Sequence, residues 1–267
     1  MKKPLALFIS ITLVHLTAGA MGMKMAASQS SDAPSDMVLI PAGEFWMGRA
    51  EFQYLFERNN VIERDRLDDG PAHLVYLDAF YIDKYEVTHE AYARFAEATH
   101  IKLPWYWPHG KIPKDHEQLP VYEVDWSEAS AYCAWAGKRL PTEAEWERAA
   151  RGGLDRKKFV WGDEEQLNSA HLNYPWGPLK VGSFPPNGYG LYDVIGNVWE
   201  WTSDWYNRDY YTVTADRNPK GPDTGIYRVI RGAGWTDGYD GRNLMVSHRS
   251  YADPTTRAFT IGIRCAK

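Results

Sequence analysis

The amino-acid sequence predicts an α+β chain of low regular structure, with a few short helices packed on short twisted antiparallel strands. Three observations carry that prediction. Helical periodicity is confined to three short stretches between Thr88 and Gly153. The segment before them alternates apolar and polar residues in short runs. After Gly162 only short strand patterns appear among Gly, Pro, Asn and Trp, with no helical period longer than two turns.

In chain order, Met37–Gly48 alternates around Pro41-Ala42-Gly43 and reads as a short hairpin. Residues Arg49 to Gly70, which include the run ERDRLDDG, read as an irregular, solvated loop. Two aromatic and β-branched strands fill Ala72 to Val87, and a helix follows from Thr88 with Tyr92, Phe95, Ala96 and Thr99 on one face. Ile101 to Pro120, with Trp105, Trp107, several prolines and two histidines, is a loop suited to lining a cleft. Ser127 starts a second helix that turns Ala129, Tyr132, Cys133 and Ala136 inward and ends at Gly137. Thr142 and Glu145 form a capping box for a third, which carries Trp146, Ala149 and Ala150 inward before Gly152-Gly153.

With 267 residues, 44% of them hydrophobic, the chain fills one large domain. Met-Lys-Lys, the apolar run Leu5 to Leu16 and Ala18-Gly19-Ala20 form a signal-peptide pattern over residues 1–20. Residues 21–36, rich in Ser, Ala and Met, read as a flexible leader, and the domain occupies 37–267. Export to the periplasm or outside the cell follows, with no membrane association after cleavage. Loss of Lys2 and Lys3 leaves 28 basic residues against 35 acidic ones, a net charge of −7 that argues against nucleic acid as a partner. The only cysteines are Cys133 and Cys265; in an oxidising compartment they form either a disulfide or two buried thiols.

The most unusual stretch is Pro185 to Tyr206, which sets two glycine-hinged turns beside Trp199, Trp201 and Trp205. It reads as too polar for a core strand and too aromatic for a solvated loop. Within it, the carboxylates of Asp193 and Glu200 and the carbonyls of Gly196 and Val198 form an all-oxygen set suited to Ca²⁺. The alternative is an aspartate capping a turn and a glutamate paired with a surface base.

These segments resemble the formylglycine-generating enzyme, or sulfatase-modifying factor, family. The resemblance is carried by Met37-Val-Leu-Ile-Pro-Ala-Gly43 with Met47-Gly48, by Asp78 to Val87, by Ala131 to Glu147, by the Pro185 to Tyr206 stretch, by Asn218 to Pro222 and by Gly262 to Ala266. It implies a fold similar to that of C-type lectins. It also implies a structural calcium site at Asp193, Gly196, Val198 and Glu200, where the first position is usually Asn in the family. A second calcium site would use Asn173 and Tyr174 plus an acidic segment that this chain lacks between Tyr174 and Pro185. A structural disulfide would join Cys133 to Cys265. Five histidines, at positions 73, 89, 100, 109 and 116, show no metal-ligand spacing and read as surface or turn residues.

The family's oxidation of a substrate cysteine to formylglycine uses two copper-binding cysteines, spaced C-x4-C ahead of an arginine that matches Arg249. Their positions fall near Gly241 and Val246, and no cysteine occurs from 134 to 264. Copper is therefore not an expected cofactor, since Cu(I) prefers thiolates. The replaced segment offers Trp235, Asp237, Tyr239, His248 and Arg249 as ligand-cleft residues. Three functions follow: a binding or maturation accessory for an exported protein, peptide or small molecule; a divergent oxidative tailoring enzyme, as pyoverdine-maturation relatives imply; or a lectin-like binder. The last lacks the Glu-Pro-Asn or Gln-Pro-Asp tripeptide of sugar-binding lectins.

Overall fold

The structure is a computed structural model that describes residues 36–49, 55–58, 61–64, 68–164, 166, 170–172, 174, 176–238 and 242–267, with 55–58 and 61–64 described by backbone alone. The signal-peptide pattern and almost all of the leader lie outside the described residues.

The first two strands do not form a hairpin. Strand β1 (Met37–Ile40) pairs antiparallel with β6 (Phe80–Asp83), whereas β2 (Gly43–Met47) pairs antiparallel with β5 (His73–Leu77). The turn at Pro41-Ala42 sends the two strands to different partners, and each buries one face: Ile40 on β1, Phe45 and Met47 on β2. The segment read as a solvated loop holds a third antiparallel pair, β3 (Leu55–Arg58) with β4 (Val61–Arg64). It ends in Asp69, whose Oδ2 is buried against the Arg49 guanidinium at 2.7 Å and the Ser247 hydroxyl at 2.9 Å.

Helix α1 (His89–Thr99) begins at the Thr88 cap and buries His89, Tyr92, Phe95 and Ala96. Helix α2 (Trp126–Trp135) starts from a capping box made by Asp125 and Glu128, one residue before the expected start, and buries Ala129, Tyr132 and Cys133. Helix α3 (Glu143–Arg151) starts from the expected Thr142/Glu145 box and stops at Gly152 in the left-handed region. A side chain on Gly152 would collide with the backbone of Gly188, so this stop also lets the 185–190 turn approach.

The second half of the chain supplies the largest sheet, in the order β10-β7-β8-β9, from β7 (Trp199–Trp205), β8 (Arg228–Arg231), β9 (Arg249–Ala252) and β10 (Ile261–Gly262). Its pairs are antiparallel except for β10 with β7. Here the sequence reading is corrected: the stretch judged too polar for a core strand contains β7, where Trp201 and Glu200 are both fully buried. The glutamate is tolerated because a guanidinium from far along the chain neutralises it. The disulfide Cys133–Cys265, with Cα atoms 5.6 Å apart, ties α2 to the chain end beyond β10.

Candidate functional site

Of the calcium-type set, Asp193 and Glu200 are both buried, and Glu200 is paired with an arginine. Glu200 Oε1 lies 2.8 Å from a terminal nitrogen of Arg264, and Glu200 Oε2 accepts the indole N–H of Trp146 at 2.6 Å. Arg264 also donates to the Asp83 carbonyl at 3.0 Å and the Tyr192 carbonyl at 2.8 Å, so its position is fixed from three sides. Asp193, at φ 55°, accepts the Gly182 amide at 2.5 Å. A third carboxylate that the sequence reading did not single out, Glu86, is buried beside them; it accepts the Asn197 side-chain amide at 2.6 Å and the Val198 amide at 3.1 Å. Burial pushes the Glu86 carboxyl well above the ordinary carboxylate range, with the Asp193 and Glu200 charges adding to the shift. Burial also raises the Asp193 carboxyl.

Two features of this loop fit a hard divalent cation. Three buried carboxyl groups lie beside the Arg264 guanidinium, and the raised Glu86 and Asp193 carboxyls show how poorly the interior accommodates their charge. The backbone supplies oxygen as well: Asn197 O receives the Trp235 amide at 2.9 Å, but no described backbone amide donates to the carbonyls of Gly196 or Val198. Gly196, at φ 87°, lies so close to the His171 backbone that a Cβ would sit 2.6 Å from the His171 carbonyl oxygen. That glycine is therefore required for the loop's path. No group of three His, Cys, Asp or Glu side chains among the described residues forms a metal cage, so any cation here would draw on backbone oxygens too. Of the second calcium set, Asn173 lies outside the described residues and Tyr174 is exposed, its amide bonded to the Trp235 carbonyl.

The ligand-cleft candidates divide. Trp235 is buried, Asp237 and His248 are half-buried, and Tyr239 lies outside the described residues. Asp237 accepts the Gly234 amide at 2.7 Å, and the His248 ring stands 5.7 Å from that of Trp199, which packs beneath Gly234. Arg249 follows the alternation of β9 to the opposite side. Its guanidinium is buried and spent on both oxygens of Glu143, at 2.7 and 2.8 Å, and on the Asp68 and Asn207 carbonyls. Of the family cysteine positions, Gly241 is outside the described residues, and Val246 is a buried core residue whose carbonyl accepts from Arg231. Both cysteines of the chain are consumed by the disulfide.

Trp235 also belongs to an aromatic track that the sequence did not reveal. The rings of Trp105, Tyr106, Tyr122, Trp235 and Phe259 follow one another at centroid separations of 6.1, 4.4, 5.5 and 5.7 Å. The track ends in solvent, with Trp105 75% and Phe259 53% exposed. The Ile101 to Pro120 loop thus contributes Trp105 and Tyr106, whereas Trp107 is buried in the core. His89, expected at the surface, is buried beneath this track between the Leu119 carbonyl and the Tyr106 hydroxyl, and burial lowers its pKa to about 4.

Fold and site together define a lectin-like α+β scaffold with a buried acidic loop and an aromatic track that ends in solvent. The chain belongs to the family described as the sulfatase-modifying factor enzyme 1-like domain, which matches residues 23–267. It is 35% identical to the formylglycine-generating enzyme of Mus musculus over 321 residues, covering 93% of this chain and 83% of that protein. It is also 33% identical to the Mus musculus inactive C-alpha-formylglycine-generating enzyme 2, covering 86% of this chain and 85% of that protein. Among solved structures, PvdO from Pseudomonas aeruginosa superposes with a TM-score of 0.69 at 29% identity, covering 86% of this chain and 93% of that one. No helix among the described residues is long and apolar enough to cross a membrane.

Proposed function

We propose that this protein is an exported, calcium-stabilised binding or maturation accessory of the sulfatase-modifying factor family, acting on another exported protein or peptide rather than oxidising cysteine. The observation that carries the reading is the use of both cysteines in a buried disulfide, which leaves no thiolate for a soft metal. The aromatic track is the surface for the client. Rings already packed against one another lose little side-chain freedom on binding, and they offer apolar faces with polar edges. Calcium, when bound at Asp193, Glu200 and the Gly196 and Val198 carbonyls, would neutralise the buried acids and hold the loop that supports Trp235 through the Asn197 carbonyl. The N-terminal signal pattern supports export.

Incubation with Cys-x-Pro-x-Arg peptides, copper and O₂ is expected to leave the peptide mass unchanged while the peptide or a client still binds. Formation of the aldehyde would overturn the reading in favour of a divergent oxidative enzyme, the activity that the name of the mouse relative carries. Trp105→Ala is expected to weaken client binding without lowering the melting temperature, because the indole is mostly exposed.

A further inference from the structure

We infer that Glu86 is the positioning residue of the calcium loop: it grips the loop at Asn197 and Val198 and so holds the turn that lies between the Gly196 and Val198 carbonyls. This assignment rests on the calcium reading above. Both Glu86 oxygens are committed to the loop, one to the Asn197 side-chain amide at 2.6 Å and the other to the Val198 amide at 3.1 Å, so its role is to orient ligands. Its own backbone is held firmly, since the adjacent Val87 donates to the Ile263 carbonyl and accepts from the Val121 amide, both at 2.8 Å.

The flanking peptide planes show why Asn197 is the point to hold. The Asn197 amide donates to the His171 carbonyl at 3.0 Å and fixes the peptide unit that carries the Gly196 oxygen. The Trp199 amide donates to the Thr260 carbonyl at 2.7 Å and fixes the unit that carries the Val198 oxygen. Between them stands Asn197 at φ 61°, a left-handed conformation that costs energy outside glycine unless side-chain bonds support it. Glu86 supplies that support from one side, and the Leu179 amide, donating to Asn197 Oδ1 at 2.9 Å, supplies it from the other.

A second consideration separates positioning from plain structural support. Asn197 and Val198 each present an N–H to Glu86, and only a carboxyl group with two acceptor oxygens meets both. A nearly isosteric glutamine therefore keeps one of these two bonds and loses the other. The same replacement turns one acceptor into a donor, loosens the loop and weakens the site.

The test compares the full-length wild type with Glu86→Gln and Asn197→Gly by calcium titration calorimetry and by melting curves in calcium and in chelator. The glycine variant keeps the Glu86 charge and tolerates the left-handed backbone, so it isolates positioning from electrostatics. Both variants are expected to bind calcium about 10–100-fold more weakly, as loss of an outer-shell partner does elsewhere. Glu86→Gln should lower the melting temperature more in calcium than in chelator. Wild-type calcium affinity in both variants would overturn the assignment of Glu86, as would a Glu86→Gln melting temperature lowered equally in calcium and chelator. Absence of calcium binding by the wild type would overturn the calcium reading itself and this assignment with it.

Discussion

Two regions of the same core hold buried carboxylates, and they balance them in opposite ways. Under α3, Glu143 and Glu147 are met by three guanidiniums. Arg231 bridges both acids at 2.8 and 2.9 Å, Arg249 grips Glu143 with two bonds, and Arg151 binds Glu147 at 2.7 Å. Across β7, Arg264 is the guanidinium that binds Glu200 and lies beside Glu86 and Asp193 among the described residues. The first region is complete as protein and serves as scaffold, joining α3, β8 and β9. The second is short of positive charge, and its two carbonyls without a described backbone donor flank Asn197, whose carbonyl accepts the Trp235 amide. The self-sufficient region is structural, and the charge-deficient one is where the proposed ion is assigned.

The largest effect expected to sharpen the contrast comes from the disulfide. Replacing Cys133 and Cys265 by serine should cost about 5 kcal/mol on the chain-entropy account of a long loop. Because Arg264 directly precedes Cys265, the loss should fall on the charge-deficient region and reduce the calcium-dependent rise in melting temperature. Denaturant unfolding in calcium and in chelator measures both parts; a calcium response equal to that of wild type would show that the two are independent.

Next in size is Glu143→Ala. Arg249 would lose its bidentate partner and Arg231 one of its two, leaving buried cations uncompensated at a cost of about 3–5 kcal/mol. The loss should be the same with or without calcium, since no ion is called for under α3. A loss that calcium rescues would break the proposed division between the two regions.

What was legible in the sequence was local. The caps at Thr88 and Thr142 can be read from side chains within three residues of the amides they bind, and α1 and α3 form as those caps require. The cysteine pair was legible because there were only two to join, and the resemblance placed them together. Partners distant in sequence were not legible. Alternation identifies Met37–Met47 as strands but cannot say that β1 and β2 pair with β6 and β5. Glu200 reads as a calcium ligand or as the partner of a surface base, and neither reading shows that its partner is the buried Arg264, 64 residues away. His89 looked like a turn residue because nothing near it in sequence announces the Tyr106 and Leu119 partners that allow its burial. Arg249 looked available for a ligand for the same reason, its partner Glu143 being 106 residues away.

The smallest effect concerns the one acid of the scaffold region that has no guanidinium bonded to it. Asp204 on β7 is buried and accepts the Glu143 amide at 2.9 Å and the Ser203 hydroxyl at 3.0 Å, so it caps the first turn of α3. Burial, reinforced by the nearby Glu143 charge, pushes its carboxyl up to about 7. A carboxyl whose folded pKa is raised binds its proton more tightly in the native state than in the unfolded chain. Its contribution to stability is therefore fully present below the unfolded value and is lost as pH rises through about 7. Between pH 6 and 8 this one group should cost about 1.4 kcal/mol, the worth of one pKa unit. Asp204→Asn keeps the acceptor for the Glu143 amide and carries no charge, so it should flatten that part of the stability profile in urea titrations at pH 6, 7 and 8. Wild type and variant with parallel profiles would show that Asp204 does not titrate there and that the region under α3 holds a full negative charge with no guanidinium of its own.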